Sequence, residues 1–118
     1  MFHKLLRAKI HRATVTQAEL DYIGSLTVDQ DLMDACGLLP NECILVADCS
    51  NGSRHWTYAI PGPRGSGVIC VNGAAAHQCK VGDLVIVMAF AYFTPEEAAV
   101  HKPRMILVDG QNRLVRHL

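Results

Sequence analysis

Residues 43–60 read C-I-L-V-A-D-C-S-N-G-S-R-H-W-T-Y-A-I, two runs rich in β-branched and aromatic side chains around S-N-G-S. Such side chains suit a pleated, half-buried surface better than a helix. Asn51-Gly52 between them is the strongest short hairpin signal, because both residues tolerate the left-handed backbone of a tight turn. Residues 43–49 and 54–60 are therefore expected to pair as antiparallel strands, and the fold class turns on that hairpin.

Working outward, Lys4–Thr16 alternates roughly, with Leu6, Ala8 and Ile10 on one side and Arg7, Lys9 and His11 on the other, the period of a strand. Tyr22 and Ile23 before Gly24-Ser25, and Leu26, Thr27 and Val28 after it, also read as extended, so the Gly-Ser pair is expected to interrupt a strand. Asp29 suits the cap of a short helix carrying Leu32, Met33 and Cys36, with Gly37 as its stop. Downstream, Pro61–Gly67 reads as a loop and Val68–Val71 as a strand. N-G-A-A-A-H at 72–77 reads as a tight turn into one helical turn, and residues 84–93 as a long strand. Thr94-Pro95-Glu96-Glu97 combines an N-cap, a first-turn proline and a capping-box glutamate, so a helix to about His101 follows. Arg104–Val108 and Arg113–Val115 form a last pair of strands around D-G-Q-N. Many short strands with a few small helices in one domain, residues 1–118, point to a mainly β, closed β-barrel.

Composition narrows the function classes. Lysine plus arginine equals aspartate plus glutamate, 11 against 11, so no basic surface advertises nucleic acid or membrane. One Trp, three Tyr and three Phe offer little surface for stacking bases. No apolar run approaches the roughly 20 residues of a membrane helix, and Met1-Phe2-His3-Lys4 does not open a signal peptide; a soluble, cytoplasmic protein is expected. Five cysteines without a C-x-x-C pair suit reduced, mostly core thiols, and six scattered histidines make no metal pattern.

The residues that could carry chemistry each have a plain structural reading as well. Gly24-Ser25 is not a G-x-S-x-G elbow, so a serine hydrolase is unsupported, and alone the pair reads as a bulge. Lys9 and His11 share a face of the first strand, as do Arg54, Trp56 and Tyr58 of a later one; by themselves these are solvated faces. Together Lys9 and Arg54 could meet an anionic ligand, the arginine as a planar fork and the lysine as a point charge. N-G-A-A-A at 72–76 is a turn whose small side chains leave backbone N–H groups open to an oxyanion or carboxylate.

K-I-H-R-A-T-V-T at 9–16, Y-I-G-S at 22–25, R-H-W-T-Y-A-I at 54–60, R-G-S-G at 64–67, V-N-G-A-A-A-H at 71–77 and V-G-D at 81–83 together resemble the pyruvoyl-dependent aspartate 1-decarboxylases in order and spacing. The resemblance implies a small double-psi β-barrel and a homotetramer with sites between subunits. It also implies self-cleavage between Gly24 and Ser25, giving a β chain of residues 1–24 and an α chain of residues 25–118. The Ser25 hydroxyl would attack the Gly24 carbonyl, and ester, dehydroalanine and loss of ammonia would follow, leaving a pyruvoyl group. In this picture glycine at 24 removes a side chain that would obstruct the attack.

The same resemblance implies a substrate and roles. L-Aspartate would condense with the pyruvoyl ketone through its amine and leave as β-alanine and CO2, supplying pantothenate synthesis without pyridoxal phosphate or metal. Ser25 and Tyr58 are the implied catalytic residues, Tyr58 as proton donor. Lys9 and Arg54 would hold the two carboxylates, with Tyr22, Thr57, Asn72, Gly73, Ala74 and Ala75 around the substrate. Thr57 and Asn72 would support processing, with His11 as a further support, and a maturation helper protein is a possible partner. The rival readings are a noncatalytic barrel that only binds and a phosphate site at N-G-A-A-A.

Overall fold

A computed structural model describes residues 1–118. The strands are β1 (His3–Thr14), β2 (Gln17–Glu19), β3 (Ser25–Asp29), β4 (Cys43–Asp48), β5 (Arg54–Gly62), β6 (Ile69–Asn72), β7 (Leu84–Phe93), β8 (Arg104–Val108) and β9 (Leu114–His117). Helices α1 (Gln30–Cys36) and α2 (Pro95–Val100) and a 3-10 helix over Gly73–His77 complete the chain. The strands form one mixed sheet of nine, in the order β2-β6-β3-β5-β4-β7-β1-β8-β9. Only Val15 and Thr16 separate β1 from β2, so a nearly continuous run of chain lies near one end of that order and at the other. The sheet curls until the run can serve both places. Val15 spans the join, donating its N–H to Asp83 O and accepting from Gly82 N, while Thr16 N–H donates to Ile69 O. The result is a small mainly β barrel, as expected from the sequence.

The core lies inside it. Ala8 and Ile10 point inward, and after them the register slips, so that Ala13 and Val15 take the inward places. Arg12 absorbs the extra residue with a φ of 62°, which turns the strand toward β2. Leu26, Val28, Ile44, Val46, Ala59, Ile69, Val71, Val85, Val87, Ala89 and Ile106 fill the interior from the other strands.

The hairpin forms as expected between β4 and β5, with Ala47 opposite Arg54 and Cys43 opposite Tyr58. Asp48 shapes its turn: its carboxylate accepts from the N–H groups of Ser50 and Asn51, and Gly52 takes the left-handed conformation at φ 74°. Burial and the neighbouring Asp83 push the Asp48 carboxyl above its ordinary value. Cys79 lies beside it, and burial followed by the Asp48 charge pushes that thiol up to about 12. Of the five cysteines, Cys36, Cys70 and Cys79 are buried while Cys43 and Cys49 are exposed, and all are free.

One expectation fails. Tyr22 and Ile23 are not a strand; they lie in the irregular loop before Gly24, 68% and 82% exposed, and β3 begins only at Ser25. Extended propensity has no effect where there is neither a neighbouring strand nor a core to bury against. Gly24-Ser25 therefore stands at the step from loop to strand. No helix is long and apolar enough to cross a membrane.

Asp29 fixes the far end of β3. Buried, it caps α1 by accepting from Asp31 N–H, and the same carboxylate accepts from Gly65 and Gly67 N–H. Three backbone donors thus depend on one side chain. Asp29→Ala is expected to lower stability by about 2–4 kcal/mol, seen in urea unfolding as a lower midpoint at unchanged slope.

Candidate active site

β3 lies between β5, to which it runs parallel, and β6, to which it runs antiparallel. The antiparallel register puts Ser25 opposite Asn72; the parallel register puts Leu26 opposite Ala59, which carries Thr57 back toward Gly24. The two strands therefore bring Thr57 and Asn72 to the Gly24-Ser25 step from either side. A cleft of about 340 Å³ opens there, lined by Gly24, His55, Trp56, Thr57, Asn72, Ala74, Ala75 and Gln78, at the lower end of the range for small-molecule sites.

Ser25 is 2% exposed. Its Oγ accepts a hydrogen bond from Asn72 Nδ2 at 2.9 Å, and the same amide nitrogen donates to Thr27 Oγ1 at 3.1 Å. Asn72 is also buried, and its Oδ1 accepts from the Cys70 thiol at 3.2 Å. Burial, then the nearby Glu19 charge, pushes the Cys70 thiol up, so it stays protonated and able to donate.

Crowding at this step falls on Gly73. A Cβ built on Gly24 meets nothing within 4 Å, whereas one on Gly73 would lie 2.8 Å from Gly24 Cα and 3.2 Å from Tyr22 O, and Gly73 has a φ of 75°. Glycine at 73 makes this close approach of the two segments possible.

The other predicted residues lie elsewhere. On β5 the alternation that turns His55, Thr57 and Ala59 one way turns Arg54, Trp56 and Tyr58 the other. Lys9, Met88, Leu45 and Trp56 are successive register partners on β1, β7, β4 and β5, each flanked by inward-facing neighbours. They form a row on the outer face. Lys9 is three strands from β5, about 14 Å at ordinary strand spacing, and Arg54 and Tyr58 flank Trp56 on the same face. Tyr22 is exposed on the loop before Gly24. His11 follows Lys9 on β1, its Nδ1 buried without a partner and its pKa lowered by burial and then by the Lys9 and Arg12 charges. Lys9, His11, Tyr22, Arg54 and Tyr58 are thus not among the residues lining the cleft.

His55, Trp56 and Gln78 do line it, and sequence reasoning singled none of them out for the site. The signal for His55 was present, since it lies two residues from Thr57 on the same strand. Its Nδ1 is buried with no partner, and burial lowers its pKa.

The profile of the family described as aspartate decarboxylase matches residues 1–115. The chain belongs to the aspartate decarboxylase family. It is 53% identical to the aspartate 1-decarboxylase of Neisseria meningitidis over 97% of this chain and 90% of the relative. With that of Carboxydothermus hydrogenoformans the identity is 51%, over 98% of this chain and 91% of the relative. With that of Lactiplantibacillus plantarum it is 54%, over 100% and 91%.

Within this family member, His55 and His11 are expected to titrate below the ordinary 6.5. A histidine whose folded pKa is depressed binds fewer protons folded than unfolded, so its contribution to stability is lost as pH falls through 6.5 toward the folded value. An NMR titration of the imidazole resonances, beside urea unfolding between pH 7 and pH 5, checks both statements.

Proposed function

We propose that this chain decarboxylates L-aspartate to β-alanine and CO2 for pantothenate synthesis in the cytoplasm, using a pyruvoyl group made from its own Ser25. The observation that carries the reading is the gathering of Gly24, Ser25, Thr57, Asn72 and Gly73 at the step into β3 beside a cleft, with Ser25 and Asn72 buried. Each of the three relatives is named an aspartate 1-decarboxylase, which supports the same substrate.

Maturation is a rearrangement of the chain itself. Ser25 Oγ attacks the Gly24 carbonyl carbon, the Oγ–C bond forms, the C–N bond breaks, and the hydroxyl proton ends on the nitrogen of residue 25. An ester is less stable than an amide, so the step needs donors for the developing oxyanion. Thr57, lining the cleft with Gly24, is placed to serve there, and Asn72 donates to the attacking oxygen. Loss of the residue 25 α-proton and of the Gly24 carboxylate gives dehydroalanine, and water then releases ammonia. Residues 1–24 and 25–118 become separate chains.

The surroundings of residue 25 fit such a group: they are buried and polar, with an amide donor at the side chain and a cleft alongside. When formed, the group supplies an electron sink for the pair left behind as CO2 departs. Lys9 and Arg54 hold the two carboxylates of aspartate, with Tyr22 and the backbone of Gly73, Ala74 and Ala75 around it. Tyr58 gives a proton to the carbon that has lost CO2, and His11 is a further support for processing. Because Lys9, Arg54 and Tyr58 stand on the outer face, the reading requires a second copy to carry that face to the cleft, as in a homotetramer with sites between subunits. A helper protein could supply the maturation step.

Denaturing mass spectrometry tests the reading first. The expected result is two fragments split after Gly24, the longer lighter by one ammonia than a serine-started chain and labelled by a carbonyl-reactive hydrazine. A chain that stays whole and unlabelled, with no aspartate-dependent CO2 release, overturns it. Gly73→Ala forces a Cβ against Gly24 and should slow cleavage about tenfold or more. Tyr58→Phe should cleave normally but lose about 100-fold or more in kcat; normal turnover by that variant removes Tyr58 from the proton transfer.

A further inference from the structure

Asn72 can address Ser25 in two ways. With Nδ2 toward β3, it donates to the oxygens of Ser25 and Thr27, as observed. Turned by 180°, its Oδ1 would instead accept their protons. The two orientations are similar in shape and opposite in chemistry. When Ser25 Oγ accepts from an amide N–H, its own proton is directed away from Asn72 and free to leave, and the N–H favours the negative charge that grows on the oxygen. When Oδ1 faces it, the serine proton is held and the oxygen has lost that donor.

The side chain that distinguishes the two is Cys70. It lies two residues before Asn72 on β6, 6% exposed, and pairs in register with Thr27. Its thiol donates to Asn72 Oδ1 at 3.2 Å. In the turned orientation the Asn72 NH2 would face the sulfur, a weak acceptor, so the thiol favours the observed one. We propose that Cys70 is a positioning residue for maturation, its thiol fixing the Asn72 amide so that Nδ2 serves Ser25 Oγ. This rests on the self-cleavage reading above and adds a named cause for the orientation of the donor. The step it assists is the same shift: Oγ–C forms, C–N breaks and the hydroxyl proton passes to the nitrogen of residue 25. Cys70 itself undergoes no covalent change. A serine at 70 offers a hydroxyl donor in the same place, whereas an alanine offers none.

Two measurements test this. In the first, freshly made wild type, Cys70→Ala and Cys70→Ser are followed by denaturing mass spectrometry for cleavage after Gly24. Cys70→Ala should be slower by about tenfold, the worth of one hydrogen bond in a buried site, and Cys70→Ser should stay within about threefold of wild type. In the second, the Asn72 side-chain amide is observed by ¹⁵N NMR in a Ser25→Ala background. It should give one sharp NH2 pair with Cys or Ser at 70, and a shifted or exchange-broadened pair with Ala. Equal cleavage rates for wild type and Cys70→Ala overturn the proposal. So does an unchanged Asn72 amide in the alanine variant, or slowing by Ser as great as by Ala, which would make residue 70 a matter of packing. A wild type that never cuts overturns the self-cleavage reading, while the Asn72 amide still decides whether Cys70 orients it.

Discussion

The register of β3 is the constraint on which the site depends. This five-residue strand pairs on both sides, and each pairing fixes a different neighbour of Ser25. The antiparallel ladder with β6 supplies Asn72, and the parallel ladder with β5 carries Thr57 alongside Gly24. A slip of one residue would turn Ser25 and Thr27 to the opposite face and break both relations together. Leu26 and Val28, fully buried, oppose such a slip from the core, and Asp29 opposes it at the far end by holding α1 and the Gly65–Gly67 loop.

β5 serves two surfaces because a strand alternates. His55 and Thr57 belong to the cleft side and Arg54 and Tyr58 to the outside, while Trp56, its ring on the outer face, also borders the cleft. On that outer face Lys4 Nζ lies over the rings of Trp56 and Phe90 at 5.2 and 5.6 Å, and Trp56 and Phe90 rest against each other. Phe90 and Trp56 thus extend the row of Lys9, Met88 and Leu45 into an apolar surface edged by cations. An exposed surface of this composition is suited to contact with another protein, which is what the proposed assembly asks of it.

Most elements were legible because local chemistry and tertiary context agree at them. The capping box at Thr94 and Glu97, the Asp29 cap with Gly37 as stop and the strands of the hairpin all carry their own start and stop signals. Tyr22 and Ile23 misled because β propensity describes a surface waiting for partners, and this loop has none. The cleft was partly legible: resemblance named Gly24, Thr57, Asn72, Ala74 and Ala75, which line it, and Ser25, buried next to Gly24. His55 and Gln78 were missed since neither type marks a site by itself, and Cys70 because its role exists only through the rotamer of a residue two positions away. Crowding at Gly73 depends on a close approach between segments some fifty residues apart, which no local pattern encodes.

The shared run of β1 and β2 has a temporal consequence. β1 lies between β7 and β8, so this strand pairs with strands that leave the ribosome well after it. At roughly 5–20 residues per second, the segment carrying Ala8 and Ile10 waits for several seconds with its apolar side uncovered. The barrel cannot be completed progressively from its beginning; it closes late, when the C-terminal strands arrive, and until then the nascent chain is at its most vulnerable to association with its own kind.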